Sequence, residues 1–211
     1  MKKKERFNIS LAPPKSDEEL ERYVNWLTST DLFKVKILKK SSVVEGALVL
    51  AGGSDIGMNY ERDLAEIGWI QQAINKGLPI LGICRGMQML NHYFGGVVEN
   101  IPDDLVFEHT VEIPVVDGDH SHLQSHFHWV RSVYNGDLFI VNSRHHQHCA
   151  TLGEGLTITH YSGDGLIEAF IGDKIMGIQW HPERGEIKEE KRDNESVELP
   201  MQWLKQQFKN G

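Results

Sequence analysis

Residues 78–86 read Leu-Pro-Ile-Leu-Gly-Ile-Cys-Arg-Gly, and this stretch decides which fold the sequence predicts. Its apolar beginning is typical of a buried strand, and residues 87–93 have the pattern of a helix. A strand, a sharp turn and a helix with a reactive side chain at the bend form a nucleophile elbow. Here that side chain is the thiol of Cys84, and the dipole of the helix that follows favours its thiolate form.

Short apolar strands alternate with amphipathic helices in the first half of the chain. This alternation predicts an α/β fold whose mostly parallel central sheet is covered by helices on both faces. We expect strands over 7–11, 33–38, 46–51 and 78–83, and helices over 16–27, 61–75 and 87–93, the first of them capped by Ser16. On the helix over 61–75, the apolar spacing predicts four residues facing the sheet, namely Leu64, Ile67, Ile70 and Ile74.

The second half of the chain has a different pattern. Strand-like segments follow one another closely over 106–116, 138–142, 156–161, 166–171 and 174–179. Turns such as Gly163-Asp164-Gly165 separate them, which predicts a small antiparallel hairpin region. A helix over 197–208 closes the chain, and no repeat or linker divides it, so we expect a single domain over residues 1–211.

Composition excludes some classes of function. The formal net charge is −8, whereas a general nucleic-acid binder needs a basic surface. No apolar run approaches the roughly 20 residues that cross a bilayer, and no apolar signal sequence follows the lysines at the N-terminus. The two cysteines, one of them at the elbow, do not form a disulfide framework. We therefore expect a cytoplasmic protein without nucleic-acid or membrane partners.

A base and a carboxylate that could serve Cys84 follow much later in the chain. His181 and Glu183 flank Pro182, and side chains two residues apart share one face of an extended chain. His181 would take the thiol proton and later protonate a leaving amine, while Glu183 would fix the imidazole tautomer. The alternative is a structural histidine beside a surface acid, which the cysteine elbow makes the weaker interpretation.

Gly52 and Gly53 end the apolar strand over 46–51. The carboxyl ends of strands in an open α/β sheet face the ligand crevice, so we expect these glycines beside Cys84. A tetrahedral intermediate needs N–H donors for its oxyanion, and we predict the backbone N–H groups of Gly53 and Arg85 for this role. A simple strand-ending turn is the alternative for the two glycines.

Together these motifs resemble the class I glutamine amidotransferase-like superfamily, and within it the gamma-glutamyl-gamma-aminobutyrate hydrolase family. Further matching stretches are 52–55, 61–66, 141–147 and 164–169, so the resemblance runs from about residue 47 to residue 183. It implies a flavodoxin-like fold. It also implies a Cys-His-Glu triad, here Cys84, His181 and Glu183, which acts through a gamma-glutamyl thioester.

The same resemblance implies a set of residues that hold the glutamyl group. A glutamyl head carries a carboxylate and an ammonium group, so it needs polar partners in fixed positions. The residues that carry over are Gly52, Gln88, Ser143, Arg144 through its main chain, and His145. Without the resemblance, residue 88 is an ordinary helix position and residues 143–145 are a polar loop.

A histidine-rich segment is left over, with imidazoles at His120, His122, His126 and His128. Alternating imidazoles can bind zinc, but the spacing matches no closed structural site, so we expect a solvated loop or hairpin and no metal. A further hypothesis combines some of these histidines with Arg144. They would form a cationic rim for an acidic or phosphate-bearing leaving group.

From these observations we expect an enzyme that hydrolyses a gamma-glutamyl amide of a small-molecule substrate without a cofactor. It would release glutamate and an amine. An alternative is a glutaminase subunit that supplies ammonia to a separate synthetase. A non-catalytic binding module is hard to sustain while all three triad side chains are present. The identity of the amine and the oligomeric state, including a homodimer, stay open.

Overall fold

The structure, a computed structural model, describes residues 6–101, 126–163, 165–185 and 195–209. The strands are β1 (Phe7–Ala12), β2 (Phe33–Ile37), β3 (Ala47–Leu50), β4 (Ile80–Ile83), β5 (Val97–Asn100), β6 (His126–Ser132), β7 (Leu138–Ser143), β8 (Gln147–Thr151), β9 (Thr157–Ser162), β10 (Ile167–Gly172) and β11 (Ile175–Ile178). The helices are α1 (Asp17–Thr28), α2 (Tyr60–Asn75), α3 (Arg85–Tyr93) and α4 (Glu195–Lys209), and a short 3₁₀ turn spans Pro182–Arg184. The strand predicted over 106–116 lies outside the described residues.

In the described part of the chain, nine strands form one sheet in the order β2-β1-β3-β4-β11-β10-β9-β6-β7. The neighbours from β2 to β11 in this order pair in parallel, and those from β11 to β7 pair antiparallel. A separate two-stranded antiparallel sheet joins β5 and β8. The predicted α/β fold, with its parallel central sheet and its antiparallel hairpin region, is therefore confirmed.

The sheet lies between two apolar layers because its central strands bury both of their faces. Along β3, Ala47 and Val49 pack in the layer formed with α1 and α4. Leu48 and Leu50 point the other way, into the layer formed with α2 and α3. Since side chains alternate between the two faces of a strand, one continuous apolar run supplies both layers. The predicted helices on both faces are thus confirmed as well.

The ends of the helices follow local signals in the sequence. Ser16 caps α1 as predicted, because its Oγ accepts a hydrogen bond from the backbone N–H of Glu19 at 3.3 Å. The closing helix α4 begins at Glu195, slightly before its predicted start. Within the described ranges, no helix combines the length and the apolar character needed to cross a membrane.

The predicted orientation of α2 was wrong. Of the four residues expected to face the sheet, only Ile70 is buried, whereas Leu64, Ile67 and Ile74 are exposed. The buried face contains two carboxylates and three apolar side chains, namely Asp63, Glu66, Trp69, Ile70 and Ala73. The carboxylates turn inward because both pair with the buried guanidinium group of Arg85. An apolar periodicity cannot reveal an ion pair between separate segments, so the helix is rotated relative to the prediction.

Two glycines allow α3 to pack closely against the sheet at the elbow. A Cβ atom on Gly86 would lie 2.2 Å from the backbone oxygen of Leu50, and one on Gly82 would lie 2.5 Å from the oxygen of Gly86. Between them, Cys84 has a positive φ of 52° with ψ of −111°. A non-glycine residue pays about 1–3 kcal/mol for such a conformation, so the surrounding packing must hold it in place.

We predict that Gly86→Ala lowers the free energy of unfolding by about 1–3 kcal/mol, because the new methyl group meets backbone atoms that have no room to move. Urea unfolding measures the change. Gly68→Ala in the interior of α2 is the matched control, since nothing lies within 4 Å of its added Cβ atom. It should raise stability by roughly 0.5–1 kcal/mol. Equal effects of the two substitutions would contradict the packing argument.

Candidate active site

Cys84 lies between the end of β4 and the start of α3, and main-chain hydrogen bonds hold it on both sides. Its N–H donates to the oxygen of Ile178 in β11 at 2.8 Å, and its carbonyl accepts from the N–H of Gln88 at 3.1 Å. The thiol is free and only 7% of the residue is exposed. The elbow therefore presents one sulfur atom at the carboxyl edge of the parallel strands, as predicted.

His181 follows β11 and its backbone is clamped by the side chain of Asn142. The N–H of His181 donates to Oδ1 of Asn142 at 2.8 Å, and Nδ2 of Asn142 donates to the oxygen of His181 at 2.9 Å. On the ring, Nδ1 lies 2.7 Å from Oε1 of Glu183. The side chains of His181 and Glu183 are both nearly buried, at 9% and 3% exposure. Asn142 thus fixes the main chain of His181, and the carboxylate of Glu183 fixes the orientation of its ring.

The thiol and the imidazole meet beside Gly52, at the end of β3. A Cβ atom at this position would lie 2.8 Å from Cε1 of His181 and 3.6 Å from Cβ of Cys84. Cys84 is also among the groups whose interactions raise the pKa of His181. The structure therefore brings together Cys84, His181, Glu183 and Gly52, which the sequence predicted as neighbours. Their catalytic and binding roles stay predictions at this point.

The charge state of His181 follows from two opposed effects. Burial alone would lower the pKa of the imidazole. The negative charges of Glu183 and Cys84, together with hydrogen bonds to both, outweigh burial and raise the pKa of His181 to about 10. At neutral pH the ring is therefore an imidazolium, and it lies between Glu183 and Cys84. This arrangement can protonate a leaving group and can stabilise a thiolate.

Tyr23 of α1 is a site residue that the sequence analysis did not identify. Its hydroxyl oxygen accepts a hydrogen bond from the N–H of Gly52 at 2.9 Å and its O–H also interacts with Glu183. Burial, followed by the charge of Glu183, raises the pKa of Tyr23 well above its usual value, so the phenol is neutral. No local signal distinguishes this tyrosine from an ordinary core residue.

Gly53 and Arg85 are the residues predicted to supply oxyanion donors. Side chains of α2 contact Arg85 itself and the main chain just before Gly53. Nη2 of Arg62 donates to the backbone oxygens of Ala51 and Gly52, at 3.1 and 3.0 Å. The side chain of Arg85 pairs with Asp63 and Glu66. Neither contact could be predicted from the motifs, because each joins segments that are distant in the chain.

Gln88 lies in the buried floor of the site, where its amide orientation is determined by its neighbours. Nε2 donates to the backbone oxygen of Gln147 at 3.0 Å and to Oε1 of Gln179 at 3.3 Å. Because a carbonyl oxygen can only accept, the amide nitrogen must face Gln147. The amide oxygen of Gln88 is therefore directed away from this pair of acceptors.

The predicted glutamyl-binding loop begins at the end of β7. Ser143 is buried, and Arg144 and His145 are half-buried. Nδ1 of His145 lies 2.9 Å from the oxygen of Gln147, and its Nε2 lies 3.7 Å from Oε1 of the buried Glu168. Of the histidine-rich segment, His120 and His122 lie outside the described residues, whereas His126 and His128 lie on β6, where His126 pairs in register with Ser143. The cationic rim stays a prediction.

Cys149 on β8 is the second cysteine, and it is fully buried. Burial, with a smaller effect from the charge of Glu168, raises the pKa of its thiol to about 12. It therefore stays protonated at neutral pH and is a poor nucleophile. This contrast supports the prediction that Cys84 is the reactive cysteine.

The fold and the elbow define the class of this protein as class I glutamine amidotransferase-like. A solved structure of a glutamine amidotransferase from Thermotoga maritima is similar to it, with a TM-score of 0.65 and 18% sequence identity, over 85% of this chain and 77% of that one. Residues 47–183 match the Peptidase C26 family, and the chain belongs to that family.

Among the relatives of this chain are two whose names state a hydrolase activity. The chain is 31% identical over 146 residues to a gamma-glutamyl-CDP-amidate hydrolase of Campylobacter jejuni. The match covers 65% of this chain and 62% of the relative. The chain is also 31% identical over 159 residues to the gamma-glutamyl-gamma-aminobutyrate hydrolase of Escherichia coli O157:H7. This match covers 67% of this chain and 60% of the relative. The matched parts thus span about three fifths of each relative's length.

We predict that the imidazole of His181 titrates with a midpoint near pH 10 in the folded protein. Because this pKa is raised above the ordinary value of 6.5, the resulting stability is fully present below pH 6.5 and is lost as the pH rises towards 10. Glu183→Gln removes one of the charges that oppose burial. The midpoint should therefore fall, and so should the loss of stability over this range. NMR of the ring measures the midpoint.

The control is Glu198→Gln, at an exposed carboxylate of α4 that accepts a hydrogen bond from Gln202. This substitution removes the same charge from a carboxylate that is not among the groups that shift the pKa of His181, so the midpoint of His181 should not move. An equal shift in both variants would show that the effect on His181 is a general charge effect.

Proposed function

We propose that this protein hydrolyses a gamma-glutamyl amide through a gamma-glutamyl thioester on Cys84, releasing glutamate and an amine. The observation that carries the proposal is the contact of His181 with Glu183 on one side and Cys84 on the other. A buried imidazolium that faces a thiolate can complete both halves of an acyl transfer. Membership of the Peptidase C26 family supports a hydrolase that depends on a cysteine.

In the first half-reaction, the thiolate of Cys84 attacks the gamma-carbonyl carbon and a C–S bond forms. The carbonyl oxygen becomes an oxyanion, which the N–H groups of Gly53 and Arg85 stabilise. His181 donates its proton to the leaving nitrogen, and the C–N bond breaks to release the amine. Throughout this step, Glu183 holds the ring through Nδ1 and stabilises its positive charge.

In the second half-reaction, His181 takes a proton from water and the resulting hydroxide attacks the thioester. Collapse of this intermediate breaks the C–S bond, releases glutamate and restores the thiolate–imidazolium pair. The glutamyl head is held by polar groups around the floor of the site. The amide oxygen of Gln88 accepts from its ammonium group, and Ser143, His145 and the main chain of Arg144 bind its carboxylate.

The leaving group is the part of the substrate that differs between the two named relatives. One name contains an aminobutyrate and the other a CDP-amidate, and both of these leaving groups carry a negative charge. Arg144 directly follows Ser143 in the predicted glutamyl-binding loop, so its side chain is suited to contact the portion beyond the amide bond. We therefore propose an anionic leaving group, with a phosphate-bearing one included.

A panel of gamma-glutamyl amides with neutral, carboxylate-bearing and phosphate-bearing leaving groups tests the reaction. We predict turnover by the wild type and a loss of roughly 10⁴-fold or more in Cys84→Ala. Acid-quenched wild type should carry the added mass of a gamma-glutamyl group on Cys84. Cys149→Ala is the matched control and should keep its turnover, because that thiol is buried and protonated.

Free glutamine belongs in the same panel. Suppose that glutamine is the one compound of the panel that is hydrolysed, and that its hydrolysis requires an added synthetase. This result would favour the alternative function, a subunit that supplies ammonia. Turnover that persists in Cys84→Ala would contradict a thioester intermediate on Cys84.

The charge of the leaving group has its own test. We predict that Arg144→Ala raises KM by roughly 10-fold for amides with an anionic leaving group, since it removes a charge-assisted hydrogen bond. KM for neutral amides should stay the same. Initial rates on matched pairs of substrates measure both values. An equal rise for neutral and anionic substrates would mean that the residue supports the loop and does not read the charge.

A further inference from the structure

A buried ionic cluster lies beneath the elbow and beside the end of β3. Its members, which we call the α2 cluster, are Arg62, Asp63 and Glu66 of α2 together with Arg85 of the elbow. Arg85 pairs with both acids, and Nε of Arg62 donates to Oε1 of Glu66 at 2.8 Å. The cluster contains two guanidinium groups and two carboxylates, so its formal charges balance although it is largely removed from water.

Arg62 extends from this cluster to the chain that precedes Gly53. While its Nε binds Glu66, its Nη2 donates to the oxygens of Ala51 and Gly52 at 3.1 and 3.0 Å. Only a planar fork of donors can contact a carboxylate with one nitrogen and two successive carbonyl groups with another. Its side chain is 16% exposed, so these contacts form largely out of water.

Because the peptide bond is planar, these contacts fix the direction of the N–H of Gly53. The oxygen of Gly52 and the N–H of Gly53 belong to one trans peptide unit and point in opposite directions. No peptide bond of the described residues is cis. When Arg62 binds the oxygen, the N–H of Gly53 must therefore point away from the guanidinium group. The same interaction polarises the peptide unit and makes that N–H a better donor.

The preceding peptide unit is held at both ends. Its oxygen, on Ala51, binds Arg62, and its N–H, on Gly52, donates to the hydroxyl of Tyr23. The N–H of Gly52 is consequently occupied and cannot serve an oxyanion. Gly53 supplies the next N–H along the chain, and no acceptor among the described residues bonds to it. The orientation of this one donor therefore depends on Arg62.

Glycine at position 53 fits the same arrangement. A Cβ atom there would lie 2.0 Å from Nη1 of Arg62. The guanidinium group thus packs directly against the main chain, where a side chain would displace it. Glycine at position 53 is therefore needed for close contact with Arg62, in addition to the approach of a ligand that the sequence analysis considered.

We propose that Arg62 is a positioning residue that directs the N–H of Gly53 towards the oxyanion. Through Glu66 it is linked to Arg85, whose N–H is the second predicted donor, so one ionic cluster orients both halves of the oxyanion hole. This inference rests on the proposed function, because it concerns the intermediate of that reaction. It adds a residue that touches neither the substrate nor the reacting atoms.

The test replaces Arg62 by lysine, which keeps the positive charge but has no planar fork. For a gamma-glutamyl amide that the wild type turns over, we expect kcat to fall by about 10²–10³-fold, the effect of a lost oxyanion donor. KM should change by less than about threefold, because the ground-state carbonyl depends little on this donor. Arg22→Lys in the exposed pair with Glu18 is the matched control and should leave both constants unchanged.

A second readout needs no substrate. The backbone ¹⁵N–¹H signal of Gly53 reports the environment of the peptide unit, and it should shift in Arg62→Lys but stay in place in Arg22→Lys. Arg62→Gln replaces the guanidinium group by a shorter neutral amide, so the Gly53 signal should shift in this variant as well. It also serves as the second variant if lysine prevents folding.

Two results would overturn the inference. One is an unchanged Gly53 signal in a folded Arg62 variant, and the other is a rise in KM with kcat intact. If the wild type turns over no gamma-glutamyl amide, the proposed function fails. A shifted Gly53 signal in that case would show that Arg62 orients this N–H for some other ligand.

Discussion

The close approach of α3 to the sheet at Cys84 is the constraint on which the rest of the site depends. Gly82 and Gly86 allow this approach, and the strained backbone of Cys84 persists because the packing on both sides leaves it no alternative. In the parallel pairing of β4 with β11, Ile83 lies opposite Ile178. The thiol and the imidazole therefore leave two neighbouring strands at the same edge of the sheet, and register alone brings them together.

Electrostatics then determines what these groups can do. Burial and charge act against each other at His181, and two anionic neighbours decide the balance in favour of the imidazolium. Tyr23 contributes a neutral hydroxyl in the same region, so it adds a donor to Glu183 without adding a further charge. The protonated ring of His181 therefore depends on its neighbours Glu183 and Cys84.

Local sequence patterns were enough to predict most of the fold and the central residues of the site. Alternation along strands, the helix cap at Ser16 and the turn around Cys84 are properties of neighbouring residues. Other features were out of reach because they join distant segments. The inward face of α2 is decided by Arg85, and the role of Tyr23 by the end of β3. Apolar periodicity reports only which residues avoid water on average, and it misplaces a helix that buries its charges.

The double hydrogen bond between Asn142 and the main chain of His181 has a consequence for how this family can diversify. It ties the last part of β7 to His181, the proposed acid–base group, so the position of one depends on the other. The loop beyond Ser143 lies outside that tie. Under the proposed function, a change in the side chain of residue 144 can therefore alter which leaving group is accepted while the position of His181 is kept.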